Sequence, residues 1–203
     1  LLGSEQRFFL LALSQKEVRF FEGSRVGIRE RALENTPRSL EAALKYDEPE
    51  KQIRFRSRGG AETATGSPHG VGTDKAKDDI LKFFRLVDRG LRDLLREEKA
   101  PLVLAGVDYL FPIYRDANTY PFLMNEGVAG NPEGATAEDL HRQALPILQP
   151  YYEKAEHDAI AQYRQSSGTG LAATDIREIC PAAAHGRVGI LLVFLHRHCG
   201  FPL

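Results

Sequence analysis

The sequence predicts an α/β protein, a sheet with helices packed against it. Three observations predict this. From Gln6 to about Ile53, apolar runs alternate with short polar turns, as in a β-meander. Residues 73–95 carry a single apolar stripe at helical spacing. Leu102–Val107 is a short apolar run after Pro101, the pattern of a central parallel strand covered on both faces. A helix followed by such a strand needs a sheet to pack on.

The elements follow in chain order. Arg7–Leu13 and Glu17–Phe21 read as strands joined by the polar turn Ser14-Gln15-Lys16. Gly23-Ser24 marks a second turn, and Val26–Leu33 alternates loosely. Pro37 opens a short helical stretch, Ser39–Lys45. Lys51–Ser57 alternates Ile53 and Phe55 with Arg54 and Arg56, as a half-exposed edge strand would. Arg58–Thr73 is a loop with five glycines, and Thr73 or Asp74 is expected to cap the long helix. Ile80, Phe84, Val87, Leu91 and Leu94 form the stripe of that helix. Tyr109–Asn118 reads as a shorter helix with Pro112 in it, and Phe122–Val128 as another strand. Gly130-Asn131-Pro132 is a turn. Thr136–Tyr163 is a long helical pattern containing Pro146 and Pro150, each expected to kink it or open its ladder. Gly168–Gly170 ends it, Thr174 is expected to cap a helix to about Ala183, and Val188–Leu195 reads as a final strand. The expected organisation is a domain over 1–130, a connecting helix over 131–168, and the start of a truncated α/β domain over 169–203.

Composition excludes several classes of function. The chain has 203 residues, a formal net charge of −1 and 42% hydrophobic residues, so it is neither disordered nor uniformly basic. Cys180 and Cys199 cannot make a disulfide framework, and reduced thiols in a cytoplasmic protein are the simpler expectation. No stretch approaches the length of a membrane span. The start lacks the features of a signal peptide, and Met124 is the only methionine, as expected of a fragment or a trimmed product.

Candidate chemistry concentrates in and beside the glycine-rich loop. His69-Gly70-Val71-Gly72 precedes a helix N-terminus, where backbone N–H groups could bind an anion. A flexible surface loop explains the same glycines. It is no Walker loop, because no Gly-Lys-Ser/Thr follows and Asp74, Asp78 and Asp79 would repel phosphate. Lys51, Arg54, Arg56 and Arg58 form a basic cluster without an interspersed acid. They could grip an RNA backbone, or guard an edge strand against pairing with another chain. His196-Arg197-His198-Cys199 holds three ligand-type residues, but a strand would split them across its faces, so no metal is expected. There is no G-x-S-x-G elbow, and Asp108 reads as a turn or cap residue. Tyr109, Tyr114, Arg115, Asn118 and Tyr120 could line a pocket near the strand ends, or simply pack a helix on the sheet.

Four segments in this order carry a family resemblance: RFFLLALSQKEVRFFEGS, the glycine-rich loop, TDKAKDDILKFFRLVDRGLRDLL and PLVLAGVDYLFPIYRDANTYP. They resemble the central domain of archaeo-eukaryotic peptide-chain release factors and pelota-type rescue factors, and most closely their bacterial relatives. TGLAATDIREICPAAAHGRVGILLV resembles the opening of that family's third domain, a ribosomal-protein-like α/β fold. The resemblance implies an RNase H-like mixed sheet whose loop enters the peptidyl-transferase centre, with the ribosome or tRNA as partner and no cofactor. In true release factors a Gly-Gly-Gln in that loop helps to position water on the peptidyl-tRNA ester. Here the loop reads Arg58-Gly59-Gly60-Ala61, so the glycine pair is kept and the glutamine is not. The loop candidates are therefore Gly59, Gly60, His69, Gly70 and Gly72, with His69 able to stand in as a polar group. The alternative expectation is an α/β hydrolase or small-ligand-binding domain with its site at the Tyr109–Tyr120 cluster.

Overall fold

The computed structural model describes residues 6–34, 36–45 and 71–193, with the backbone alone at 71–74. The chain divides into two compact units, residues 1–148 and 149–203.

The first unit is built on a five-stranded mixed sheet, so the α/β class holds. Strands β1 (Phe8–Leu13), β2 (Val18–Gly23), β3 (Ile28–Arg31), β4 (Leu102–Gly106) and β5 (Val128–Ala129) lie in the order β3-β2-β1-β4-β5. β1, β2 and β3 pair antiparallel, as the meander predicts, while β4 runs parallel to both β1 and β5.

The first turn is made locally. Ser14 Oγ accepts from the backbone N–H groups of Lys16 (3.1 Å) and Glu17 (2.9 Å), and Ser14 N–H donates to the Glu17 carbonyl at 2.9 Å. That turn sets Leu13 opposite Val18 and, with it, the register of the whole hairpin. The second turn closes where Ser24 N–H meets the Gly27 carbonyl at 2.8 Å.

Strand alternation divides β1 between two layers. Phe9, Leu11 and Leu13 face a core shared with Val18, Phe20, Leu102 and Leu104. Two helices, α2 (Val71–Leu95) and α3 (Leu110–Ala117), cover that face, while residues 40–45 form the short α1. Phe8 leans the other way and stacks on His141, near the start of α4 (Ala137–Ser166). Leu140, Ala144 and Leu148 of α4 are buried. With both faces of the sheet covered, every residue of β1 and β4 is buried.

Several expectations change at element ends. α2 starts at Val71 and not after a cap at Thr73 or Asp74, so Gly72 sits in its first turn. The first N–H groups of a helix lack internal partners whatever residue carries them, so glycine is tolerated there. The stripe of α2 ends on Leu95, which is 4% exposed, and not on Leu94, at 37%. Leu94 and Leu95 flank the stripe on its two sides, and Leu95 is the one that joins the core cluster.

The strand expected over Phe122–Val128 shrinks to a bridge between Leu102 and Leu123 and the two residues of β5. Arg115 donates to the Asn125 carbonyl, removing an acceptor that a ladder would use. α4 is capped by Thr136, whose Oγ1 accepts from Asp139 N–H at 3.1 Å, and it runs on through Pro146 and Pro150.

In the second unit, α5 (Ile176–Ala184) is capped one residue later than expected. Asp175 and not Thr174 accepts from Arg177 N–H, at 2.8 Å. The expected strand Val188–Leu195 is absent over 188–193, which pair with no strand among the described residues. An apolar run becomes a strand only beside a neighbour that takes its N–H and C=O groups.

Candidate functional site

Most of the loop candidates, Gly59, Gly60, His69 and Gly70, lie outside the described residues, as do Lys51, Arg54, Arg56, Arg58 and His196–Cys199. Gly72 is described only as part of α2. The described scaffold therefore fixes the two ends of that segment: α1 reaches residue 45, and α2 begins at Val71.

The rest of α2 is firmly held. Phe83 and Phe84 are fully buried, and Phe84 meets the Tyr114 ring edge-on at a centroid distance of 5.5 Å. Asp88, 5% exposed, clasps the chain after α3. Its carboxylate accepts from Thr119 N–H at 2.8 Å and from Thr119 Oγ1–H at 2.9 Å. Gly90 admits the Thr36 side chain, since a Cβ there would lie 1.9 Å from Thr36 Oγ1.

The five side chains expected to line a pocket separate. Tyr109 is half-exposed, and its hydroxyl accepts from Gln15 Nε2 at 2.8 Å. Tyr114 is buried in the core with its hydroxyl unpartnered; burial, and then the charge of Asp88, push that hydroxyl well above its usual range. Arg115 turns to the Asn125 carbonyl and lies over the Phe111 ring. Asn118 brackets the backbone of Tyr120, donating to its carbonyl at 2.8 Å and accepting from its N–H at 3.2 Å. Tyr120 donates from its own hydroxyl to the Ala100 carbonyl at 2.7 Å. These residues join α3 to the sheet. Asp108 is a turn residue, as expected, and its carbonyl accepts from Phe111 N–H at 3.2 Å.

Small residues let α3 sit close to the sheet. A Cβ on Gly106 would lie 2.8 Å from the Leu13 carbonyl oxygen, and one on Gly127 2.8 Å from that of Leu104. The Phe111 ring packs beside both.

A basic cluster that is not evident from the sequence lies along the β2–β3 edge. Glu22 accepts from Arg7 Nε (2.8 Å), Arg29 Nη2 (2.8 Å) and Arg31 Nη1 (3.2 Å). Burial pushes the Glu22 carboxyl up, but Arg29, Arg7 and Arg31 outweigh it and hold the group below its usual range. Arg7 also reaches Glu98, at 2.9 and 3.1 Å. At the end of β3, Arg31 and Arg38 line a cavity of about 160 Å³. The Arg-x-Arg spacing of β3, with Glu22 on the paired strand, is the signal that could have revealed this cluster.

Among the described residues, no group of His, Cys, Asp or Glu could hold a metal ion, and no helix is long and apolar enough to cross a membrane. Cys180 is exposed and free.

The five-stranded mixed sheet with helices on its faces defines an α/β protein. Residues 7–187 match bacterial archaeo-eukaryotic release factor family 3, and the chain belongs to that family. No curated protein matches the chain.

Proposed function

We propose that this chain is a ribosome- or tRNA-associated factor of the release or rescue type that works in the cytoplasm. The observation that carries the reading is the family match over residues 7–187. The scaffold supports it: helix α2, one face buried and its Asp88 bound to Thr119, leads on from the glycine-bearing segment. In this reading Lys51, Arg54, Arg56 and Arg58 contact RNA phosphates, and Gly59-Gly60 and His69-Gly70 approach the partner closely. Peptidyl-tRNA hydrolysis is not assigned, because Ala61 follows the glycine pair where the release-factor glutamine would stand. The same reading takes residues 1–130 as the central domain, 131–168 as a connecting helix and 169–203 as the start of a third domain.

Ribosome co-sedimentation of the protein at low and high salt tests the proposal. Binding to empty or stalled ribosomes that weakens with salt is expected, and no binding under any ribosome condition would overturn it. A peptide-release assay with Gly59, Gly60 and His69 substituted then separates enzyme from adaptor. Release that those substitutions abolish would make the segment catalytic.

A further inference from the structure

Four guanidiniums, of Arg7, Arg29, Arg31 and Arg38, gather along the β2–β3 edge beside the carboxylates of Glu22 and Glu98. Arg7, Arg29 and Arg31 share Glu22, and Arg7 also takes Glu98. Arg29 and Arg31 each commit a single Nη to Glu22, and their other guanidinium nitrogens have no partner among the described residues. The Arg29 side chain is 67% exposed and that of Arg31 45%. Two residues apart on one strand, they point to the same side at a spacing of about 6.6 Å. Arg38 is exposed, and its side chain makes no hydrogen bond or ion pair among the described residues. Its backbone is nonetheless fixed, because its carbonyl accepts from Val18 N–H at 3.0 Å. Glu17, Arg19 and Glu30 line the same cavity as Arg31 and Arg38, and Glu30 is already held by Arg19 at 3.0 Å.

We propose that Arg29, Arg31 and Arg38 form a docking strip for the phosphate backbone of RNA. Planar guanidinium forks suit phosphate oxygens, and Glu22 orients two of them before any ligand arrives. A peptide strand added to β3 fits less well, because three of the four β3 residues are charged and exposed, a pattern that discourages strand pairing. The choice of RNA over another polyanion rests on the release-factor reading; the strip itself rests on the arginines.

Fluorescence anisotropy of the full chain with a labelled single-stranded RNA tests it, with a labelled polyglutamate peptide as the second probe. Arg29→Ala/Arg31→Ala should weaken RNA binding about tenfold and reduce the log–log salt slope by about 1.4, two phosphates at about 0.7 each. Arg38→Ala, which breaks no ion pair of the fold, should weaken binding a few-fold. Arg29→Lys/Arg31→Lys should keep the slope and bind at an intermediate strength. If the double alanine variant does not melt like the parent, the Arg38→Ala and lysine variants decide the matter. Unchanged affinity and slope in the folded variants would overturn the strip, as would a parent that binds no RNA at low salt or prefers polyglutamate. Ribosome co-sedimentation is scored separately. RNA binding through the strip without ribosome binding sinks the release-factor reading alone, and ribosome binding indifferent to all three arginines sinks the strip alone.

Discussion

The two units use similar residues to opposite ends. In residues 1–148, Phe8, Leu10, Phe21, Phe84 and Leu104 are all at or below 1% exposure. Among described residues 149–193 none is buried, and Leu171, Ile176 and Val193 are 84%, 65% and 66% exposed. A single helix shows both outcomes. In α4, Leu140, Ala144 and Leu148 are buried, whereas Tyr151 and Tyr163, on the continuing helical repeat, are 37% and 36% exposed. A stripe states which face favours burial, but a sheet or helix must be present to bury it.

The largest effects should break this contrast outright if it is wrong. Phe84→Ala empties a fully buried site against Tyr114 and should cost about 3–5 kcal/mol in chemical denaturation. Ile176→Ala, on the exposed face of α5, should stay within about 0.5 kcal/mol. Equal losses from the two would mean that the second unit is packed as tightly as the first.

Gly106→Ala sharpens the picture inside the buried unit. Its new Cβ would press on the Leu13 carbonyl, which the β1–β4 ladder holds in place, and the expected loss is about 1–3 kcal/mol. A neutral result would show that β4 can slide away from β1.

Smaller effects test the unit's polar margin. The Glu22 carboxyl is held below its usual value of 4.5, so its contribution is present above that pH and fades as the pH falls through the lowered folded value. Glu22→Gln should therefore cost less than about 1 kcal/mol near neutrality, and the gap should close in acid melts.

The smallest change is Tyr114→Phe. It removes a buried hydroxyl that has no partner, so stability at neutral pH should hold or rise slightly. Because the folded group titrates above its usual 10.0, its contribution is complete below pH 10 and is lost as the pH climbs past it. The phenylalanine variant should lack that part of the alkaline loss, which pH-dependent melts would show.

Legibility in the sequence followed the range of the forces involved. The Ser14-Gln15-Lys16 turn is made by a hydroxyl reaching two and three residues along, and the sequence alone announced it. The α2 stripe from Ile80 to Leu91 and the apolar β4 run were equally plain, since periodicity and full burial are written in neighbouring residues. The aromatic cluster was not. Tyr109, Tyr114 and Tyr120 lie within twelve residues, yet their hydroxyls end respectively at Gln15, in the buried core, and at the Ala100 carbonyl. The edge arginines were missed because Arg7, Arg29 and Arg31 meet on Glu22 only through the strand pairing.

The sequence by itself determined the α/β class, the hairpin, the long amphipathic helix and the glycine pair without its glutamine. These depend on backbone chemistry and spacing over a few residues. Tertiary structure alone decided that β4 inserts beside β1, that Phe122–Val128 yields only the Leu123 bridge and the first residue of β5, and that 188–193 pair with no strand among the described residues. Strand pairing and side-chain burial need a partner from elsewhere in the chain, and which partner arrives is settled by the competition for the whole core.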